Sequence, residues 1–267
     1  MLDKFNICPN AYYNYLKYRK AQYYETKIET LNKIVKLYHA NDGVPGYRMV
    51  RDYLKLEDII YSYSTIYKYM KELGLRSIVR AKKPVYVKSN ACKIFPNLLG
   101  RNFNIGVLNK IWATDFTYLT QSGGRIRYNC TIIDLHERCV VATLNGENIT
   151  TELAINTLKT ALERHKPEKG LILHSDQGSQ YTSKEFSEYC KKNHIQQSMS
   201  GAGCPYDNAP MERFYNTFKN EFFNIYSFNS EQELDNRTYE FIYVKYNHKR
   251  PHTFNNGLSP YVVRQTR

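Results

Sequence analysis

The sequence predicts an α/β domain with a mixed sheet, preceded by a small all-helical domain. Three observations predict it. The first hundred residues carry apolar side chains at helical spacing; near residue 108 the period changes to short β-rich runs; and those runs then alternate with helical stretches.

A change of charge falls at the same place. Of the net charge of +13, residues 1–107 hold 19 Lys and Arg against 8 Asp and Glu, while residues 108–267 hold 19 against 17. A strongly basic part ahead of a nearly neutral one suits a polyanion, most often nucleic acid. The 25 tyrosines decide nothing, because they serve cores and bases equally well. No apolar run approaches the length of a membrane span, and the N-terminal stretch has no secretory pattern. The expectation is a cytoplasmic protein with no membrane partner. Six scattered cysteines without a C-x-x-C point to reduced thiols rather than a disulfide framework or a zinc knuckle.

The helical part takes its elements in order. "KIETLNKIVKLYHA" puts Ile28, Leu31, Val35 and Tyr38 on one face. "NDGVPGYRMVRDYLKL" turns at Gly43–Gly46 and resumes as a helix, and "SYSTIYKYMKELGL" has Ser62 or Ser64 as cap and Gly74 as stop. Residues of about 24–76 thus fit a helix-turn-helix, whose last helix would expose Thr65, Lys68 and Lys71. The same helices would also suit a protein-binding bundle. "VRAKKPVYVKSNACKIFPN" then carries Arg80, Lys82, Lys83 and Lys88 along a basic linker able to follow phosphates. The division is 1–80 helical region suited to DNA, 81–107 basic linker and 108–267 α/β domain.

In the second part "KIWATDFTYLT", "RIRYNCTIIDL" and "RCVVATLN" read as three antiparallel strands, with a hairpin turn at Gly123–Gly124. "TTELAINTLKTALERH" is a helix, "GLILHSD" a buried strand, "SKEFSEYCKKN" a helix and "IQQSMS" a last strand. Two helices close the chain through 209–225 and 230–248.

Three acids stand out on this frame. Asp115 lies mid-strand on the side of Ala113 and Ile111, where an ionised carboxylate is costly unless a cation or hydrogen bonds compensate it. Asp176 ends a strand, where the edge of a sheet opens into a crevice. Glu212 sits in a first helical turn, with Asn208 as candidate N-cap and Pro210 just inside. The helix dipole alone would account for Glu212, and local hydrogen bonds for either Asp. The order of strand Asp, strand-end Asp and, after 35 intervening residues, helical Glu is not what those local roles predict. His174 reads as a satisfied core histidine, and Asp134 as a structural partner of Arg138.

The stretches "IWATDFTYL", "LILHSDQGSQYTS" and "YDNAPMERFYNTFKNE" resemble the catalytic core of DDE insertion-sequence transposases, kin of retroviral integrases. The resemblance is greatest to the downstream, OrfB-type product of elements encoded in two overlapping frames. "YNHKRPHTFNNGLSPYVV" resembles that family's C-terminal signature, and "GYRMVRDYLK" with "STIYKYMKELGL" its helix-turn-helix segment. The resemblance implies an RNase H-like fold with a mixed five-stranded sheet. It implies that Asp115, Asp176 and Glu212 converge on two divalent ions, Mg²⁺ or its substitute Mn²⁺, to cleave element ends and transfer the strand without a covalent protein–DNA intermediate. In the same frame Lys219, two helical turns beyond Glu212, would contact DNA near the cleaved end. Gln177, Gly178, Tyr206 and Asn208 would position the site. The implied partners are double-stranded DNA, a second copy of the chain on that DNA, and an upstream-frame protein, since no leucine zipper is present here.

One stretch departs from the family: "SMSGAGCPYDN" has no charge before Asp207 where relatives carry basic residues. A catalytically idle helix-turn-helix regulator is the alternative reading, and the presence of all three acids weighs against it. A cellular RNase H would not need the basic helical part. The chain also lacks the H-x-x-R expected of a tyrosine recombinase and the H-x-H of a relaxase.

Overall fold

The computed structural model describes residues 8–77, 94–121 and 125–266, and the chain separates into two units, Met1–Arg80 and Ala81–Arg267. Arg80, Lys82, Lys83, Lys88 and the Gly123–Gly124 turn lie outside the described residues.

The first unit holds α1 (Pro9–Leu16), α2 (Arg19–Ala40), α3 (Tyr47–Leu56) and α4 (Tyr63–Glu72). Gly43 turns the chain after α2 with φ of 73°, a left-handed conformation that a side chain resists. Ser62 caps α4, its hydroxyl accepting the Thr65 N–H at 3.1 Å. Ile34, Val50, Leu54, Ile66, Tyr69 and Met70 form the core. The predicted face of α2 is corrected here: Ile28 is 57% exposed, whereas Thr30 and Ile34 are buried. Thr30 enters the apolar stripe because its hydroxyl donates back to the Thr26 carbonyl at 2.8 Å, which removes its need for water.

The second unit is built on a sheet ordered β3-β2-β1-β4-β5. Its strands are β1 (Ile111–Thr120), β2 (Ile126–Asp134), β3 (Val140–Gly146), β4 (Ile172–Ser175) and β5 (Gln196–Met199). β1 pairs antiparallel with β2 and β2 with β3, while β1–β4 and β4–β5 are parallel. This is the RNase H-like arrangement. Both faces are covered, so β2 is buried at nearly every position, the polar Asn129, Thr131 and Asp134 included, rather than at alternate ones. On one face Trp112, Ile132 and Leu173 pack with α5 (Thr151–His165), α6 (Ser179–Thr182) and α7 (Lys184–Lys192). On the other, Ala113, Leu119 and Ile133 pack with α8 (Ala209–Phe218) and the chain beyond it.

The predicted 209–225 helix is α8 continued by a π-helical stretch, Lys219–Phe223. The predicted 230–248 helix is α9 (Glu231–Tyr239) continued by another, Glu240–Lys249. A terminal α10 (Pro260–Gln265) follows. The segment resembling a C-terminal signature is held by buried polar contacts. Asn247 bonds both backbone groups of Val140 at 2.9 Å. Arg250 grips Glu221 bidentately at 2.6 and 2.7 Å. Arg264 reaches Asp134 at 3.3 Å, Glu137, and Asn109 at 2.6 Å. The predicted Asp134–Arg138 pair is thereby corrected: the Asp134 carboxylate faces Arg264, and the Arg138 guanidinium instead donates to the Phe103 carbonyl at 2.7 Å and lies over the Phe254 ring.

Candidate active site

Asp115 follows Ala113 on the α8 side of β1, is half-buried, and accepts the Phe116 N–H at 2.8 Å. The parallel ladder between β1 and β4 pairs Ile111 with Ile172, Trp112 with Leu173 and Ala113 with His174. Carried two residues past its last pair, that register aligns Asp115 with Asp176. Neighbouring strands lie about 4.8 Å apart, so the two acids are lateral neighbours where β4 ends. Asp176 is half-buried, and its carboxylate accepts the Gly178 N–H at 2.9 Å. Both charges act on one buried phenol: Tyr181 is pushed well up, chiefly by burial and further by Cys130, Asp115 and Asp176.

Glu212 is exposed, and its helix is pinned to β1 on either side of it. Asn208 donates from Nδ2 to the Thr114 carbonyl at 3.2 Å. Tyr215 donates its hydroxyl to the Asp115 carbonyl at 2.6 Å, with the Asn129 carbonyl at 3.1 Å. Lys219 lies 4.1 Å from the ring centre of Tyr118, further along β1. Positions 208, 212, 215 and 219 fall at i, i+4, i+7 and i+11, one stripe of a helix. Three of the four touch β1, so Glu212 stands on the β1-facing stripe, level with the strand around Asp115. Asn208 corrects its predicted capping role. It stands at the N-cap position of α8 but makes no side-chain cap bond: its Nδ2 is anchored on β1, and its Oδ1 meets no backbone N–H of the first turn.

The turn before α8 is also held. His174 is buried, with Nδ1 2.9 Å from the Ser198 hydroxyl and Nε2 2.9 Å from the Asp207 carbonyl. Burial lowers its pKa, so it sits neutral in this network. The Asp207 carboxylate meets Arg101 at 2.7 Å, Asn97 at 3.1 Å and the Gly201 N–H at 2.9 Å. Arg101 beside it holds that carboxyl below its ordinary range. Gln177 donates to the Ser200 carbonyl at 3.0 Å, and Tyr206 is 71% exposed.

Among the described residues, no three His, Cys, Asp or Glu side chains stand close enough to hold a metal ion. The structure aligns Asp115 with Asp176 and fixes the backbone that carries Glu212. Asp115 and Asp176 each accept a backbone N–H. The residues nonetheless suit a hydrated divalent ion. The donors are all hard oxygens, and Asn208, 5% exposed, keeps a buried Oδ1 with no partner. An acceptor left so costs about 1–3 kcal/mol until a donor, such as a metal-bound water, reaches it.

In the helical unit, Lys68 and Lys71 are exposed on α4. Thr65, expected beside them, is half-buried and bonds the Ser62 hydroxyl at 2.8 Å, drawn into the cap.

Two integrase core domain models match residues 108–205 and 193–260, and an HTH-like domain model matches residues 26–83. The insertion element IS600 uncharacterized 31 kDa protein of Shigella sonnei is 32% identical over 267 residues, 99% of this chain and 97% of that protein. Transposase InsF for insertion sequence IS3A of Escherichia coli (strain K12) is 32% identical over 216 residues, 80% of this chain and 75% of that one. The chain belongs to the insertion-sequence transposase family. Its core is of the polynucleotidyl-transferase type. A chain of the simian T-cell lymphotropic virus intasome in complex with PP2A regulatory subunit B56 gamma shares the fold, with TM-score 0.51, 16% identity, and coverage of 88% of this chain and 75% of that one. Asp115 and Asp176 fall within the first integrase-core match of this family member, and Glu212 within the second.

Sequence reasoning missed Tyr215, His174 as the anchor of the 205–208 turn, and Arg101. A tyrosine three residues after the helical acid was the one signal available for Tyr215.

Proposed function

We propose that this chain is the DNA transposase of a bacterial insertion sequence, cleaving element ends and transferring the strand by direct phosphoryl transfer. The observation that carries the reading is the alignment of Asp115 with Asp176 beneath a helix pinned to the same strand on both sides of Glu212. Those three carboxylates would hold two divalent ions, Mg²⁺ or Mn²⁺. Such ions, when bound, activate the attacking oxygen and stabilise the leaving one. The protein's own part is geometry. The Gly178 N–H holds the Asp176 carboxylate, and the Asp207–Arg101 and His174 contacts hold the turn that launches α8. Lys219 supplies a cation along the same stripe for DNA near the cleaved end, while Gln177 and Tyr206 border the site. No side-chain nucleophile is required, and no covalent protein–DNA intermediate forms.

Residues 1–80 act in this reading as the DNA-binding region and 81–107 as a basic linker whose Lys82, Lys83 and Lys88, with Arg80 just ahead of them, follow phosphates. Residues 108–267 are the catalytic domain. The working partners are element-end and target DNA, a second copy of the chain on that DNA, and an upstream-frame protein. The chain works in the cytoplasm on the nucleoid. Among the described residues no helix is long and apolar enough to cross a membrane.

The test is cleavage and joining of duplexes carrying the element ends, with Mg²⁺ or with EDTA, by the wild type and by Asp115→Asn and Asp176→Asn. Metal-dependent cleavage lost in both variants, with DNA binding kept, is the expected result. Metal-independent DNA binding without cleavage in the wild type would leave the idle regulator.

A further inference from the structure

Asn208, at the N-cap position of α8, and Tyr215 within it lie four residues before and three after Glu212, and both bond backbone carbonyls of β1. The carbonyls are those of Thr114 and Asp115, so one anchor lands on the very residue that carries the strand acid. Tyr215 is buried, with 4% exposure, and burial pushes its phenol well up, so it remains a donor at any working pH. Its hydroxyl contributes nothing to the apolar core that its ring already fills between Phe214 and the sheet. A phenylalanine would pack there equally well. What the hydroxyl adds is a fixed distance between α8 and Asp115.

We propose that Tyr215 and Asn208 are positioning residues: a two-point clamp that sets α8 on β1 so that Glu212 can join Asp115 and Asp176 around an incoming divalent ion. The inference rests on the transposase reading above. Glu212 is exposed and uncaged, so what brings it to the ion is backbone placement, and the clamp is what supplies that placement. Asn208 has a second part: with Nδ2 held by Thr114, its unpartnered Oδ1 is left as a buried acceptor beside the acids.

The test uses the full chain with Tyr215→Phe and, independently, Asn208→Ala. Mn²⁺ binding is followed by the free-ion electron paramagnetic resonance signal. Cleavage is measured against Mn²⁺ concentration, and DNA affinity is measured without metal. Loss of an outer partner of metal ligands weakens metal affinity by about 10–100-fold. That weakening is expected in Tyr215→Phe, with cleavage recovered at high Mn²⁺ and DNA affinity within about twofold of wild type. A merely structural role would move thermal stability but not the Mn²⁺ requirement. Wild-type Mn²⁺ affinity in a folded Tyr215→Phe, or in Asn208→Ala should the first not fold, overturns the clamp. The parent reading fails differently: the wild type binds no Mn²⁺, or Asp176→Asn still cleaves.

Discussion

Replacing Arg264 by methionine removes the guanidinium that enters a buried acidic pair from the last helix. Asp134 and Glu137 both have 0% exposure, and Arg264 meets them together with Asn109 and His165. Arg138, the nearest other cation, is committed to Phe103 and Phe254. Stripping the partner from a buried charge costs about 3–5 kcal/mol, which for a unit of this size is a fall in Tm of about 6–20 °C. The loss depends on pH. Burial, then the Asp134 charge, pushes Glu137 up to about 8, while Arg264 opposes the shift. A carboxyl raised in the folded state binds its proton there first, so its contribution to stability grows as pH falls from about 8. Without Arg264 the shift is larger, so the variant recovers more than the wild type on acidification. Urea unfolding followed by Trp112 fluorescence reads this directly. Trp112 is the only tryptophan, is fully buried, and donates to the same Asn109 oxygen at 3.3 Å. An unchanged midpoint at about pH 8, or a penalty that does not shrink by about pH 6, refutes the reasoning.

Two further outcomes are expected. His165 is lowered to about 4 and His252 to about 3, and His174 is lowered too, burial being the main cause in each. Since the unfolded chain takes those protons first, stability falls below about pH 6.5, three histidines outweighing Glu137 by about 3 kcal/mol per pH unit at most. Urea midpoints should peak near about pH 6.5, and a midpoint climbing steadily into acid would contradict the shifts. In the helical unit, Lys68→Ala with Lys71→Ala should weaken DNA binding across all sequences and flatten its salt dependence by about one unit of slope per lysine. An unaltered slope in titrations at several salt concentrations would remove α4 from the phosphate contacts.

Much of the molecule is legible in the sequence because its signals are local. The period change near residue 108, the β-rich run of β1 and the Ser62 cap each involve neighbours within a few residues, and the structure forms those elements where the pattern puts them. The acids at 115, 176 and 212 are legible by type and order. What failed was pairing at a distance. Ile34 in place of Ile28 followed from a back-bonded threonine that looks polar in a row of letters. Asp134 was matched with an arginine four residues away, whereas its partner stands 130 residues on. Asn208 has the chemistry of a cap, and tertiary packing gave its amide to a strand 94 residues back.

By itself, then, the amino-acid order determined the strands, the helical unit, the charge asymmetry and the order of the three acids. Only the tertiary structure decided that Asp115 and Asp176 come abreast, that Asn208 and Tyr215 bond the carbonyls of β1 on either side of Glu212, and that the C-terminal segment binds Asp134, Glu137 and Val140. The reason is that periodicity and residue chemistry are properties of short stretches. A hydrogen bond across a hundred residues exists only once the layers between its ends have packed.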